Sequence, residues 1–333
     1  MSRSPVLCVN GLRVEYPTRK GVVHAVAGIS FDVAPGEIVA LVGESGCGKT
    51  ATAHSILRLI APPGRVSAGE ILFDGEDLQK VSLERMRQIR GNRISMIFQE
   101  PMSSLNPVQR IGDQVAEPIL QHRLASRAEA WKRAAELLRR VNIPDPQARL
   151  YDYPHQFSGG MRQRVMIATA MACSPRLIIA DEPTTALDVT VQAQIIELLR
   201  DAVQTDATGM LLITHNLSVV ARYADRVNVM YGGEIIESAS ADELFEDPQH
   251  PYTRGLLNSV PSLTQALGER LIPIAGQPYD SLNRPGGCSF HPRCPSAMAR
   301  CSTAAPPVVQ SGNSHKVACW LSVQSRDSEV LAC

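Results

Sequence analysis

The segment that most constrains this chain is a glycine-rich turn between two apolar elements. Residues 43–50 read Gly-Glu-Ser-Gly-Cys-Gly-Lys-Thr and match the phosphate-loop pattern G-x-x-x-x-G-K-S/T at every fixed position. The unbroken apolar run Ile38–Val42 precedes the turn and indicates a strand that is buried on both faces. A helix is predicted from Lys49 to about Ile60. This order of elements predicts an α/β domain that binds a phosphorylated nucleotide.

Phosphate binding explains the fixed positions of this loop. Glycines let backbone N–H groups converge on phosphate oxygens, and the following helix points its positive end at the same anion. Lys49 is expected to reach the β- and γ-phosphates, and the Thr50 hydroxyl to ligate Mg²⁺. Because a helix N-terminus lowers the pKa of a thiol, Cys47 is predicted to react with alkylating agents, but as a spectator thiol and not a catalytic one, since the motif places no base beside it. The other expected nucleotide-binding residues here are Gly43, Ser45, Gly46, Gly48 and Ala51.

A second buried strand, predicted at Leu177–Ala180, ends in the acidic pair Asp181 and Glu182. The carboxyl ends of strands are where α/β sheets bind ligands. Asp181 is expected to hold Mg²⁺, directly or through water, and Glu182 to orient or deprotonate the attacking water. A helix is predicted from Val189 to about Val203 and a third core strand at Met210–Thr214, so the sheet should be mostly parallel.

Composition limits the classes of function that remain. The 333 residues carry 33 Lys or Arg and 33 Asp or Glu, so no partner held by bulk positive charge, such as nucleic acid, is expected. No apolar run approaches the roughly 18 residues of a membrane span, and the start of the chain lacks a signal-peptide core. We therefore expect a cytoplasmic location.

The composition along the chain suggests two regions. Residues 80–160 are richer in helix formers and charge, and an amphipathic helix is predicted at Ala128–Val141. We predict a helical subdomain at about 85–165, inserted into an α/β domain that spans 1–260. From 261 to 333, Pro, Gly, Ser and Cys dominate and helical periodicity is lost, which predicts a small irregular C-terminal extension.

The segment between the phosphate loop and the acidic pair carries a family resemblance. Residues 157–164 read Phe-Ser-Gly-Gly-Met-Arg-Gln-Arg, which resembles the signature of the ATP-binding-cassette (ABC) ATPases. Gln99 ends a short apolar run as in the family's Q-loop, Ala186-Leu187-Asp188 resembles the D-loop, and His215 resembles the switch histidine. The motifs stand in family order over residues 6 to about 240. The resemblance implies the P-loop NTPase fold of the ABC ATPases.

The resemblance also implies how the nucleotide is enclosed. Tyr16 resembles the aromatic residue that stacks on adenine. In the family, residues equivalent to Ser158, Gly159 and Gly160 cap the γ-phosphate of the nucleotide bound by the opposite subunit. A head-to-tail dimer with two ATP sites at its interface is therefore implied.

For hydrolysis, the resemblance implies that Glu182 and His215 drive the reaction with Lys49. It implies that Gln99 senses Mg²⁺ or water and couples the site to the helical subdomain. Asp188, in the D-loop, is expected to contribute to nucleotide binding. ATP and Mg²⁺ are the implied cofactors, and the implied enzyme class is an ATPase coupled to transport.

Residues 99–107 and 250–257 resemble the oligopeptide/dipeptide importer branch of the family, to which nickel importers also belong. This resemblance implies a peripheral subunit on the cytoplasmic face of the membrane, docked beneath two permeases. An extracytoplasmic binding protein would deliver the di- or oligopeptide or a related small solute. A second ATPase subunit is implied, and a heterodimer with a related chain is common in this branch.

Four of the eight cysteines cluster in the tail, at Cys288, Cys294, Cys301 and Cys319, whereas Cys333 has no partner spacing. Clustered cysteines in a reducing compartment suggest metal binding more than disulfides. No C-x2-C pair occurs, and four thiolates can hold zinc or an iron–sulfur cluster. The tail resembles the four-cysteine motif of peptide-importer ATPases, which in some members holds a 4Fe–4S cluster. This resemblance implies such a cluster, with zinc or free or disulfide-bonded thiols as the alternatives.

Two rival functions make different demands on the sequence. A soluble ABC protein of translation normally carries two cassettes, and one of DNA repair carries long coiled-coil insertions. Here there is one phosphate loop and one signature, with no extended heptad run. A non-hydrolysing regulatory partner is disfavoured by the presence of Glu182 and His215.

Overall fold

The computed structural model describes residues 4–99, 104–184, 189–259, 273–277, 279–312 and 314–324. The strands are, in chain order, β1 (Leu7–Thr18), β2 (Gly21–Val33), β3 (Ile38–Val42), β4 (Arg65–Phe73), β5 (Glu76–Asp77), β6 (Ile94–Ile97), β7 (Leu177–Asp181), β8 (Gly209–Ile213), β9 (Arg226–Tyr231), β10 (Glu234–Ser240), β11 (Val309–Gln310) and β12 (Lys316–Val317). The helices are α1 (Lys49–Ile56), α2 (Leu83–Ile89), α3 (Ile111–Gln121), α4 (Arg127–Arg140), α5 (Pro146–Arg149), α6 (Gly159–Met171), α7 (Val189–Asp206), α8 (Leu217–Tyr223), α9 (Ala241–Glu246), α10 (Pro251–Asn258) and α11 (Ala299–Thr303). This mixture confirms the expected α/β class.

The elements predicted around the glycine-rich turn are present. All five residues of β3 are buried, as expected for an unbroken apolar run. Helix α1 begins at Lys49 as predicted but ends at Ile56, earlier than the expected end near Ile60. The reason is local, because Arg58 adopts the left-handed conformation with a φ of 51°. A left-handed residue is a common way to end a helix.

The other predicted elements are confirmed with shifted bounds. Helix α4 begins one residue before the predicted Ala128, because the Ser126 hydroxyl caps it by accepting the backbone N–H of Glu129. Helix α7 continues to Asp206, beyond the predicted end at about Val203. No helix in the described ranges has the length and apolar character that crossing a membrane requires.

The described residues group into two compact units. The first draws on Met1–Cys8, Asp32–Ile38 and Leu72–Ile213. Its parallel strands lie in the order β8–β7–β6, and β7 and β8 are buried along their whole lengths. Because parallel strands end on the same edge, the residues that follow β6 and β7 lie on one side of this sheet.

The rest of the first unit is mainly helical. Helices α3, α4 and α6 pack against one another, with side chains such as Val115, Leu138 and Ile167 fully buried. These helices occupy the stretch for which a helical subdomain is predicted from sequence. The division at 85–165 remains a prediction, and the predicted boundary near 260 lies outside the described residues.

The second unit draws on Val9–Phe31, Val39–Ile71 and Thr214–Cys333. One sheet in it has the order β3–β9–β10–β12–β11, with β3 parallel to β9 and the later pairs antiparallel. Strands β1, β2 and β4 are neighbours in the order β2–β1–β4. Both units therefore supply strand ends from which functional side chains can project.

The C-terminal region is joined to the sheet of the second unit. Val317 of β12 lies opposite Glu237 of β10, and the N–H of Ala318 donates to the carbonyl of Ile236 at 2.8 Å. The expectation of an irregular extension fits the short elements of its described part, α11, β11 and β12. However, β12 extends the sheet of the second unit, so this part is not a separate appendage.

Candidate active site

The phosphate loop connects β3 to α1 and depends on glycine for its backbone. The backbone φ values are 151° at Gly43, 80° at Gly46 and 108° at Gly48. Residues other than glycine rarely adopt such positive values. A Cβ on Gly43 would lie 2.2 Å from the carbonyl oxygen of Met230, and one on Gly48 would lie 2.2 Å from that of Ala25. Two of the glycines are therefore required by packing as well as by conformation.

Lys49 is buried against this loop, with only 7% of its surface exposed. Its ammonium group donates to the carbonyls of Gly43 at 2.8 Å and Glu44 at 3.0 Å. The positive charge is therefore held within the turn itself. Ser45, Gly46 and Thr50 are exposed at the same turn, so an anion from solvent can reach it.

The prediction of a reactive thiol at Cys47 is wrong. The side chain is buried, and burial raises the pKa of its thiol. Lys49, whose ammonium lies 3.7 Å from the sulfur, acts in the opposite direction but does not outweigh burial. Sequence reasoning considered only the helix N-terminus and omitted the desolvation of the thiolate.

In the first unit, the structure brings together two residues predicted from separate motifs. The side-chain amide of Gln99, beyond β6, donates to Oε2 of Glu182 at 3.0 Å. Glu182 follows β7 and has a left-handed φ of 48°, a strained conformation for a non-glycine residue. Asp181, the preceding residue, is 98% buried. Strain and a buried carboxylate at a strand end are typical of a functional site.

The signature segment forms the start of α6. The Ser158 hydroxyl caps this helix by accepting the N–H of Met161 at 3.3 Å. A Cβ on Gly159 would meet nothing within 4 Å, whereas one on Gly160 would lie 3.1 Å from Val191. The exposed helix end at Gly159 can therefore be approached closely by a ligand or another chain.

Gln163 is a buried residue of the signature segment to which sequence reasoning gave no role. It lies one turn into α6, is 99% buried, and its amide donates to the carbonyl of Pro183 at 2.6 Å. Pro183 directly follows Glu182, so this bond fixes the signature helix to the turn that carries the catalytic candidate. The only sequence signal was its place within the signature segment.

The remaining predicted residues of the nucleotide site fall as follows. His215 is exposed just beyond β8, and the neighbouring N–H of Thr214 donates to the carbonyl of Leu41 near the end of β3. Tyr16 is partly buried, because its ring packs closely on Gly64, and burial raises its pKa. Asp188 lies outside the described residues.

Four thiols, Cys288, Cys294, Cys301 and Cys319, line one small cavity of about 10 Å³. Burial raises the pKa of Cys288 to about 11 and also raises the pKa values of Cys294 and Cys319. His250 lines the same cavity, and its Nε2 has no hydrogen-bond partner among the described residues. Burial lowers the pKa of His250 to about 4, while the charge of Glu237 acts in the opposite direction.

The convergence of these thiols does not amount to a metal site. Across the described ranges, no three His, Cys, Asp or Glu side chains are grouped so that they could hold a metal ion. The iron–sulfur cluster implied by the cysteine motif is therefore not apparent from the arrangement of the side chains.

Comparison with known proteins fits this geometry. The ABC transporter family model matches residues 26–185, and the model for the oligopeptide/dipeptide transporter C-terminal region matches residues 236–301. The chain is 50% identical over 328 residues to the dipeptide transport ATP-binding protein DppD of Bacillus subtilis, covering 98% of each chain. It is 49% identical over 317 residues to the oligopeptide transport ATP-binding protein OppD of the same organism, covering 95% of this chain and 88% of that one.

The fold is also similar to a solved structure. The dimeric ATP-binding cassette MJ0796 bound to ADP and Pi matches with a TM-score of 0.64 and 26% identity, over 71% of this chain and 98% of that one. The chain therefore belongs to the ABC transporter family and is an ATPase coupled to transport. Within that family it belongs with the ATP-binding proteins of the oligopeptide/dipeptide transporter type.

Proposed function

We propose that this ATPase hydrolyses MgATP to drive the import of dipeptides or oligopeptides. The observation that carries the proposal is the phosphate loop, where the Lys49 ammonium is held between the carbonyls of Gly43 and Glu44. A buried cation beside glycine-rich backbone fits a polyphosphate. The printed names of DppD and OppD, which describe dipeptide and oligopeptide transport, support a peptide as cargo.

We assign the nucleotide contacts to the loop, the start of α1 and one aromatic ring. Lys49 neutralises the β- and γ-phosphates, and loop N–H groups bind their oxygens. Mg²⁺, which neutralises charge on these phosphates, would be held by Thr50, Gln99 and Asp181. The full set of proposed nucleotide contacts is Tyr16, Gly43, Ser45, Gly46, Cys47, Gly48, Lys49, Thr50 and Ala51.

Glu182 is assigned as the residue that orients the attacking water and accepts its proton. The hydrogen bond from Gln99 holds its carboxylate in one orientation. His215, exposed beyond β8, is assigned a role in hydrolysis, where it would contact the transferred phosphoryl group. Replacing Glu182 with Gln should abolish turnover and leave MgATP binding intact, because the amide keeps the size of the side chain but not its basicity. Equal background rates in both proteins would instead favour a non-hydrolysing regulatory subunit.

We propose that Ser158, Gly159 and Gly160 bind the nucleotide of a second ATPase subunit, and that Asp188, in the segment that resembles the D-loop, contributes to nucleotide binding. The open space beside Gly159 supports close approach by another chain. We further propose that the second subunit is a related but different chain. The assembly would add two membrane permeases and an extracytoplasmic binding protein, and this chain would lie peripherally on the cytoplasmic face. No nucleic acid is proposed as a partner.

Reconstitution separates the cargo classes. The chain is placed in vesicles with its candidate second ATPase, permeases and binding protein, and ATP hydrolysis and uptake are measured with a dipeptide, an oligopeptide or Ni²⁺. Peptide-stimulated hydrolysis with peptide uptake is expected. Stimulation by Ni²⁺ alone would move the cargo to the metal, and hydrolysis indifferent to the permeases would favour a soluble ABC ATPase.

We also propose that the four tail cysteines ligate a 4Fe–4S cluster. Their convergence on one cavity, together with the unpartnered ring nitrogen of His250, supports a sulfur-rich ligand there. The side chains would have to rearrange on binding, since no three of them are grouped as metal ligands among the described residues. Anaerobic purification followed by iron and sulfide analysis tests this, with about four of each per chain expected. Loss of both on Cys294→Ser would support ligation, whereas zinc alone or no metal would refute the cluster.

A further inference from the structure

Glu44, the first variable residue of the phosphate loop, is held by a residue of the C-terminal region. Arg293 donates to both oxygens of its carboxylate, with 2.6 Å from Nη1 to Oε2 and 3.0 Å from Nη2 to Oε1. Two parallel bonds from a guanidinium fix orientation as well as distance. The Arg293 side chain is only 5% exposed, so salt screens this pair less than a surface pair.

Arg293 is also held in place by contacts other than the one with Glu44. Its Nε donates to the carbonyl of Ala275 at 3.0 Å, and Nη2 lies 3.4 Å from the carbonyl of Ile274. The guanidinium also lies over the ring of Tyr231, 5.8 Å from the centroid. The bond to Glu44 raises the pKa of Arg293 further, so its charge is permanent. The loop is therefore attached to a rigid donor.

A second contact holds the backbone of the same residue. The Tyr252 hydroxyl accepts the N–H of Glu44 at 2.9 Å. Tyr252 is fully buried, with its ring 4.7 Å from that of Tyr231 and 5.3 Å from that of Phe290. Because the Glu44 N–H is engaged by Tyr252, it is not available to bind phosphate in this conformation.

We propose that Arg293 and Tyr252 are positioning residues of the nucleotide site, which hold the phosphate loop in its binding conformation through Glu44. A loop with three glycines at positive φ has wide conformational freedom, and ordering it on binding would cost affinity. The contacts from Arg293 and Tyr252 order it beforehand. The proposal rests on the assignment of the nucleotide phosphates to this loop.

A plain fastening role makes a different prediction. If these contacts only attach the C-terminal region, their loss lowers the melting temperature and leaves nucleotide affinity unchanged. The matched control is Arg284→Met, which breaks the ion pair between Arg284 and Glu234 in the same region. That pair makes no described contact with the phosphate loop, so its loss should affect stability alone.

The test uses the full chain and measures three quantities for each variant. These are the Kd of MgADP by calorimetry, kcat and KM for ATP, and the melting temperature. Arg293→Met and Tyr252→Phe should raise Kd and KM about tenfold, the equivalent of about 1.4 kcal/mol, with kcat changed less. Arg293→Lys, which keeps the charge but loses the fork, should lie between them and the wild type. Adding Glu44→Gln to Arg293→Met should cost little more, since both act on one contact.

Values of Kd and KM within about twofold of the Arg284→Met control, with a lower melting temperature, would overturn the positioning role. If Arg293→Met fails to fold, Arg293→Lys and Tyr252→Phe carry the test, because they preserve most of the packing. A wild-type chain without measurable MgADP affinity would instead contradict the assignment of the loop itself. The two failures are therefore distinguishable.

Discussion

The side-chain amide of Gln99 lies 3.0 Å from Oε2 of Glu182 and donates a hydrogen bond to it. The two residues follow the neighbouring parallel strands β6 and β7. The backbone of Glu182 is fixed in turn, because its N–H donates to the carbonyl of Ile213 at 2.8 Å. The bond to Ile213 thus fixes the backbone of Glu182, and the bond from Gln99 fixes its carboxylate.

This arrangement predicts a kinetic effect of Gln99→Ala. We expect kcat for ATP to fall by about 10- to 100-fold, since a misoriented catalytic group is costly even when the displacement is small. Gln88→Ala, at an exposed glutamine on α2, is the control and should have wild-type kinetics. Steady-state assays decide the matter, and an unchanged kcat in Gln99→Ala would contradict the orienting role.

The glycines of the phosphate loop should differ in their tolerance of alanine. Gly48→Ala places a Cβ 2.2 Å from the carbonyl oxygen of Ala25, so backbone must move and MgADP binding should be lost. Gly46→Ala meets nothing within 4 Å and should cost only the roughly 1–2 kcal/mol of a left-handed non-glycine residue. Calorimetric titration and thermal melting compare the two, and equal losses of affinity would argue against the packing explanation.

Cys47 should resist alkylation in the native protein at neutral pH. Burial raises the pKa of this thiol, so the reactive thiolate is scarce until the pH exceeds the pKa of an ordinary cysteine. Iodoacetamide labelling followed by peptide mapping should show slow modification at pH 7.5 and fast modification of the same residue in urea. Labelling at equal rates in both conditions would show that neither burial nor a raised pKa protects the thiol in the folded protein.

The buried pair of Glu237 and His315 should govern acid stability. Their side chains are 0% and 5% exposed, with 2.7 Å between His315 Nε2 and Glu237 Oε1. Burial alone would raise the pKa of Glu237, but hydrogen bonds, first that from His315, bring it below the ordinary value. A lowered carboxyl pKa stabilises the fold above about pH 4.3, and this contribution is lost as pH falls through the folded pKa.

Urea unfolding at a series of pH values tests this pair. His315→Ala should lower the free energy of unfolding at pH 7 by about 3 kcal/mol, because it leaves a buried carboxylate without its main partner. Glu237→Gln should flatten the loss of stability below about pH 4.3. A steep acid transition that survives Glu237→Gln would assign it to other groups.

Local pattern is sufficient for the central elements of this chain. The run Ile38–Val42 identifies β3, and the adjacent glycine pattern identifies the phosphate loop, because both depend on nearby residues alone. The pairing of Gln99 with Glu182 does not follow from sequence, because each motif marks the end of its own apolar run and only the structure shows that β6 and β7 are neighbours. The early end of α1 does not follow, because the left-handed turn at Arg58 carries no glycine or asparagine to mark it.

Long-range contacts are what sequence reasoning missed. Arg293 and Glu44 are 249 positions apart, and neither stands in a pattern that names the other. The pKa of Cys47 was predicted in the wrong direction for a related reason. Distant chain packs against this residue, since the N–H of Gly233 donates to the carbonyl of Cys47 at 3.1 Å, and no local motif reports that packing.

The pairing of β12 with β10 has a practical consequence for shortened forms of this protein. Removing the chain from β11 onward would leave an open strand edge at β10 and would deprive the Glu237 carboxylate of its imidazole. Open edges recruit strands from other molecules and promote aggregation. A truncated chain would therefore report first on insolubility and self-association. Single substitutions, which leave the β10 edge covered, can measure the effect of the C-terminal region on the phosphate loop without causing aggregation.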